Sequence, residues 1–300
     1  MGSVRLSANQ PSEGCHSFKN GCPKKQARGK GSKMSKKIVF CGGGNMAEGI
    51  TRGLLERGVA YPGDITITEL IPARRAYLSE KYGVEAVADS SDAIKVADLV
   101  IVAVNPSQVP SVTTVLKPLL AKKTIVLSIA AAITIGALED QLGADKKVAR
   151  VVPNTLIQSG NGYSAVCVNA QCDGQDKEYI DKVLGALGQV MYLPESLFNA
   201  FSSFSNVGPL WLYKMVEALV DAGVYVGFGR PAAREIVTKN MLGVASVLEA
   251  GGEHPAAKVD QMTSPGGVTI EALKTLQQEG FSAALMSSVV AGFNKINSIE

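Results

Sequence analysis

The chain has 300 residues, 46% hydrophobic, 19% charged and 6% aromatic. That balance excludes collagen-like, mucin-like and wholly disordered proteins, and the length suggests two domains, each large enough to bury a core. The net charge of +3 hides an asymmetry: residues 1–37 carry nine basic side chains against Glu13 alone, so the rest, with 21 basic and 26 acidic residues, is mildly acidic. An acidic body argues against a nucleic-acid partner. The longest apolar run free of charge, Thr124 to Leu138, is shorter than the roughly 18 residues that cross a bilayer, so no membrane partner is expected either.

Residues 1–34 are rich in Gly, Ser, Lys and Asn and lack apolar periodicity, so they are expected to be a disordered basic tail. The tail has neither the apolar centre of a secretory signal nor the Arg-rich amphipathic character of an import peptide; an organelle address in it stays open as the alternative to a cytoplasmic location. Five cysteines, an odd and scattered set, fit reduced thiols in a cytoplasmic protein. Cys15, His16 and Cys22 lack the spacing and the fourth ligand of a zinc site, and no metal is expected.

From residue 35 a regular alternation begins. Strand-like runs lie at Lys37–Cys41, Asp64–Thr68, Leu99–Val104, Thr124–Ser128, Val148–Val151, Tyr163–Val168 and Val190–Leu193. Helix-length segments such as 46–58, 72–82 and 177–187 separate most of them. Short buried strands alternating with helices predict an α/β fold, a Rossmann-type, mostly parallel sheet covered on both faces, over residues 35–194. Beyond 195 the strand signal stops. Leu212, Met215, Val216, Leu219 and Val220 recur at helical spacing, Pro231–Glu249 starts on a proline and ends before two glycines, and 268–278 follows an SPGG turn. Residues 195–300 therefore read as an all-helical second domain, its small and apolar residues suited either to burial against a second subunit or to a monomeric core.

The first strand runs into Cys41-Gly42-Gly43-Gly44-Asn45-Met46-Ala47, a GxGxxA pattern that opens a helix. Gly42 allows the tight turn, Gly44 lets backbone approach a pyrophosphate, and Ala47 lets helix and strand pack closely; free amides around Asn45 and Met46 then meet the phosphates. The second strand ends at Glu69, where a carboxylate binds the ribose diol of NADH and repels a 2′-phosphate. Arg74 and Arg75 follow within a turn and are placed to reach such a phosphate, so both NADH and NADPH stay open, with Glu69 leaning to NADH. The turn Ser264-Pro265-Gly266-Gly267-Val268-Thr269 also precedes a helix. Its amides and two hydroxyls make either an anion pocket for a substrate carboxylate or a plainly capped helix start.

Over essentially all of residues 35–300 the sequence resembles the pyrroline-5-carboxylate reductase family. The resemblance is carried by GGGNMAEGI, AVNPSQV, SIAAAIT and RVVPNT, and above all by HPAAKVDQMTSPGGVTIEAL (254–273) followed by GFSAALMSSV. It implies a Rossmann domain followed by a helical dimerisation domain, in a homodimer or a larger assembly of dimers with the active site at the dimer interface. The implied reaction is NAD(P)H-dependent reduction of a cyclic imine carboxylate to L-proline, the last step of proline biosynthesis. It places Val104, Asn105 and Pro106 over the cofactor and Ala130 and Ala131 near the nicotinamide. Ser264, Gly267, Val268 and Thr269 then hold the substrate, with Glu253 either near the ring nitrogen or a solvated loop carboxylate. His254, ahead of Pro255, is either a helix cap or a proton-transfer group.

Departures from the family pattern are equally visible. Asn206, Val207 and Leu210 are bulkier than the small residues expected where the long helix begins, and Asn105 stands where a lysine is usual. Added volume narrows a pocket or displaces its wall. A reductase of a different imine and a dinucleotide-binding, non-catalytic paralogue are therefore the alternatives. A hydroxyacid dehydrogenase is a third, weaker one, since Lys214 and Lys239 lie on helices without the setting its catalytic lysine needs.

Overall fold

The computed structural model describes residues 36–298. The expected disorder of the tail and the Cys15, His16 and Cys22 question lie outside these residues. Eight strands, β1 (Ile38–Cys41), β2 (Ile65–Thr68), β3 (Glu85–Val87), β4 (Leu99–Val102), β5 (Ile125–Ser128), β6 (Lys147–Pro153), β7 (Gly162–Val168) and β8 (Gly188–Tyr192), form one sheet in the order β3-β2-β1-β4-β5-β6-β7-β8. Every neighbouring pair is parallel except β6 and β7.

The sheet lies between helices because its central strands are apolar on both faces. In β1, Ile38 and Phe40 join a core with α1 (Asn45–Glu56), Leu78 of α2 (Pro72–Tyr82) and Ile180 of α6 (Gly174–Gly185). The alternate residues Val39 and Cys41 join a second core with α3 (Ser91–Val96), α4 (Val109–Leu116) and α5 (Ile135–Leu142). Each Ile or Phe so buried stabilises the fold by about 1.5–3 kcal/mol. The expected α/β class is thus observed.

Four elements differ most from expectation. β3 is an edge strand of three residues, one charged, and carries no apolar run to reveal it. The strand expected to reach Val104 ends at Val102, and the one expected from Val190 starts at Gly188. α6 starts at Gly174 rather than 177 because Asp173 caps it, accepting from the Asp176 amide at 3.0 Å while Asp176 accepts from the Asp173 amide at 2.9 Å.

After β8 the chain is helical: α7 (Phe198–Phe201), a π-turn over Ser202–Asn206, then α8 (Gly208–Tyr225), α9 (Arg230–Ala250), α10 (Pro255–Met262), α11 (Val268–Gln278) and α12 (Phe281–Asn297). Residues 195–205 tie these helices to the sheet. Buried Arg150 donates to Glu195 at 2.7 Å and stacks its guanidinium 4.9 Å from the ring of buried Phe198, while Asn154 donates to Ser205 at 3.3 Å. α8 and α9 approach closely at Gly223, where a Cβ would lie 2.8 Å from that of Ala233. α10, α11 and α12 bury no residue fully within the protomer. Leu242, Val244, Met286 and Val290 all stay more than half exposed. No helix among the described residues is long and apolar enough to cross a membrane.

Candidate active site

Register alone gathers the expected cofactor residues. Thr68, Cys41, Val102 and Ser128, the last residues of four adjacent parallel strands, pair on one rung of the sheet. The segments that follow them carry Glu69, Gly42–Met46, Val104–Pro106 and Ala130–Ala131 to the same edge. The chain order reverses there, with β2 on one side of β1 and β4 on the other, which is where open α/β sheets bind ligands.

Gly42 has φ +104°, and a Cβ on it would lie 2.7 Å from the Ala103 carbonyl oxygen and 3.0 Å from Val104. Only glycine fits the turn. Gly44 differs: its φ of −68° suits any residue, nothing lies within 4 Å of where its Cβ would be, and it begins α1 with no side-chain cap. The helix therefore presents unpaired amides to open space, as a pyrophosphate requires. These residues fit a dinucleotide. Among the described residues, no group of three or more His, Cys, Asp or Glu is arranged to hold a metal ion.

Glu69 follows β2 directly. Its carboxylate accepts from the Gly43 amide at 3.2 Å and from the Ile71 amide at 2.9 Å, which fixes it at the rim of the loop. Arg74 donates to the Gly43 carbonyl at 2.8 Å, and Arg75 to the carbonyls of Glu69 and Leu70, each at 2.8 Å. Asn105 and Pro106 are exposed and lead into α4, with the Asn105 amide donating to Gln108 at 3.3 Å. Ala130 is buried and Ala131 exposed. Their neighbour Ala132 has φ +61°, the one positive value at a non-glycine among the described residues. Such a conformation costs an alanine roughly 1–2 kcal/mol. Strain of this kind collects at working sites, and nothing in the run of three alanines signals it.

The second cluster lies on the helices. Gly266, at φ +67°, closes a turn in which the Gly267 amide donates to the Ser264 carbonyl at 3.0 Å, and a Cβ on Gly267 would collide with Ser264 Oγ. α11 then starts with no side-chain cap, so the reading of Ser264 and Thr269 as caps fails. Neither hydroxyl bonds within the described residues, and both residues are exposed, as is Val268. Glu253 is ion-paired with Lys258 and accepts from Gln261 at 2.7 Å. The Lys258 ammonium, followed by the Gln261 amide, lowers its pKa. His254 caps α10, its Nδ1 accepting from the Ala256 amide at 3.2 Å, as one of its two readings anticipated. Lys214 is paired with Glu217. No hydrogen bond or ion pair among the described residues joins Glu253, Ser264, Gly267, Val268 or Thr269 to the dinucleotide edge within one protomer.

The bulkier residues at the start of α8 fall on and around the π-turn. Asn206 ends it with a buried, unpartnered Oδ1, Val207 follows, and Leu210 is exposed on α8. Sequence periodicity could not have announced this turn, because an inserted residue leaves the helical spacing on either side intact.

Comparison with known proteins covers both regions of the chain. Residues 195–299 match the model described as pyrroline-5-carboxylate reductase dimerisation, and residues 37–132 match one described as NADP oxidoreductase, coenzyme F420-dependent. The chain is 34% identical to a pyrroline-5-carboxylate reductase of Arabidopsis thaliana over 85% of its own length and 92% of that protein's. It is 32% identical to the Escherichia coli (strain K12) protein of the same name over 87% and 97% of the two lengths. It is similar in structure to a pyrroline-5-carboxylate reductase from Coxiella burnetii, with a TM-score of 0.82 at 28% identity over 89% of this chain and 99% of that one. With a glycine loop opening α1, an SPGG turn opening α11 and relatives matched over nearly their whole length, this chain belongs to the pyrroline-5-carboxylate reductase family.

Proposed function

We propose that the protein reduces pyrroline-5-carboxylate, a cyclic imine carboxylate, to L-proline at the expense of NADH or NADPH, as a homodimer or an assembly of dimers in the cytoplasm. The observation that carries this reading is the presence in one chain of a glycine loop that opens α1 onto empty space and a turn that opens α11 beside the unbonded hydroxyls of Ser264 and Thr269. Both are built for anions, one for a pyrophosphate and one for a small carboxylate. We place the boundary between the nucleotide and helical domains near residue 194.

Bound at the strand ends, the reduced nicotinamide supplies the hydride. The chain's own residues bind and orient. Gly44, Asn45 and Met46 offer amides to the pyrophosphate, and Glu69, held by two amides, accepts from the ribose diol and favours NADH. Val104, Asn105 and Pro106 border the cofactor, and Ala130 and Ala131 border the nicotinamide. Ser264 and Thr269 donate hydroxyls and Gly267 and Val268 donate amides to the substrate carboxylate, which fixes the ring against the nicotinamide. Because an iminium carbon is already electrophilic, orientation is the larger part of catalysis. Glu253, kept anionic by Lys258, is suited to balance the iminium charge rather than to donate a proton.

The test is oxidation of NADH and of NADPH, followed separately by absorbance, with pyrroline-5-carboxylate added to the full chain. Turnover with at least one dinucleotide is expected; failure with both would refute the reading. The bulky Asn206, Val207 and Leu210 favour a second reading, a reductase of another imine, which turnover of a different cyclic imine in the same assay would support.

A further inference from the structure

Glu48 lies in the first turn of α1, the helix whose start faces the proposed pyrophosphate, so an unbalanced carboxylate there would repel the ligand. α2 answers it from one face. Glu48 Oε2 accepts from Arg74 Nη2 at 2.6 Å, and Oε1 accepts from Tyr82 at 2.7 Å and from Tyr77 and Lys81 at 3.0 Å each. Lys81 also bonds the Tyr77 hydroxyl. Desolvation works to raise the Glu48 pKa, but the hydrogen bonds from Tyr82, Lys81, Arg74 and Tyr77 outweigh it and hold it at about 2. The carboxylate is therefore charged across the whole working range.

The consequence falls on Arg74. Its Nη2 is bound to Glu48, its Nε donates to the Gly43 carbonyl at 2.8 Å, and its guanidinium lies 5.0 Å from the centre of the Tyr77 ring. The amide of the same Gly43 donates to Glu69. One glycine of the phosphate loop is thus held between the base that would attract a ribose 2′-phosphate and the acid that would repel it. We propose that Glu48 is a positioning residue for cofactor choice: by clamping Arg74 onto Gly43 it steadies the phosphate loop and withholds the guanidinium from a 2′-phosphate.

This rests on the reading of residues 42–47 as a dinucleotide site, and the experiment separates the two. Dissociation constants for NADH and NADPH are measured by fluorescence titration on the full chain as wild type, Glu48→Gln, Arg74→Ala and the double variant, each checked for folding by circular dichroism. Glu48→Gln frees Arg74 beside Glu69 and is expected to raise the affinity for NADPH relative to NADH about tenfold. Arg74→Ala alone removes the loop anchor and is expected to weaken both dinucleotides together, with their ratio held within about twofold, and the double variant should lose the gain of Glu48→Gln. An unchanged ratio in Glu48→Gln, or a gain that survives in the double variant, would overturn the proposal. Should Glu48→Gln fail to fold, Arg74→Ala still decides: a selective loss of NADPH affinity would mean that the arginine already serves a 2′-phosphate. A wild-type chain that binds neither dinucleotide would instead overturn the reading of the loop itself.

Discussion

Gly42 and Gly44 stand two residues apart in the same loop, yet alanine should act on them in opposite ways. At Gly42 the φ of +104° costs an L-residue about 1–2 kcal/mol before any contact is considered. The new Cβ would also sit 2.7 Å from the Ala103 carbonyl oxygen, which is backbone and cannot swing aside. Together these predict a loss of about 2–4 kcal/mol, or a fall in Tm of roughly 5–10 °C for a protein of this size. At Gly44 the backbone suits alanine and the surrounding space is empty. The smaller entropy of the unfolded chain offsets the weaker helix cap, so Gly44→Ala should remain within about 1 kcal/mol of wild type. Its methyl group stands where the pyrophosphate would approach, and separating one charge-assisted pair costs about 1.5–3 kcal/mol, roughly ten- to hundredfold in Kd. Thermal unfolding paired with dinucleotide titration checks both variants. Wild-type affinity in Gly44→Ala, or a Tm lowered as far as in Gly42→Ala, would refute the distinction.

Thr269→Ala should raise KM for the imine several-fold and leave dinucleotide affinity nearly unchanged, as separate saturation curves would show; equal losses would contradict the carboxylate assignment. Glu69→Ala should narrow the preference between NADH and NADPH, and kcat/KM unchanged with both would dismiss its role at the ribose. The folded-state pKa of Glu48, about 2, lies below its ordinary value of 4.5, so the stability that Glu48 contributes is fully present above about pH 4.5 and is lost as pH falls through 2. The gap in urea stability between wild type and Glu48→Gln should accordingly shrink from pH 6 to pH 3, and a constant gap would refute the network's contribution. Leu242→Glu, at a position 59% exposed in the single protomer, should shift sedimentation towards monomer if α9 lies in the interface between copies.

The parts of the fold legible in the sequence are those whose burial is repetitive. β1, β4 and β5 announce themselves because four consecutive residues in each, all apolar but Ser128, are buried on both faces. β3 is silent because an edge strand of Glu85, Ala86 and Val87 faces water and needs no apolar run. The glycine loop was readable because its turn demands residues without side chains. The acid at position 69 was readable from its distance along the chain. The clamp on Arg74 was not, because Glu48 looks like any acid in a first helical turn until α2 is folded against it. The residues of the SPGG loop allow either an anion pocket or a cap, and only the family resemblance points to a substrate there. What the residues left open, cap or pocket, turned on where two hydroxyls point.

The helical region poses a physical difficulty that a second copy would resolve. A loop that grips a small carboxylate must hold its amides to within about half an ångström, which needs rigid support beneath it. The loop proposed for that role opens α11, and neither α11 nor α12 buries a single residue fully within the protomer. The same helices leave Met286 and Val290 in water, with Val244 on α9 in the same state. Apolar surface of that extent favours association. Laying the helical region of one protomer against that of another would cover those side chains and stiffen the loop at once. The sheet has no such need, because both of its faces already carry complete cores. If the α11 loop holds the imine as proposed, dissociation should weaken substrate capture long before it disturbs the dinucleotide, which titration of each ligand across protein concentration would check.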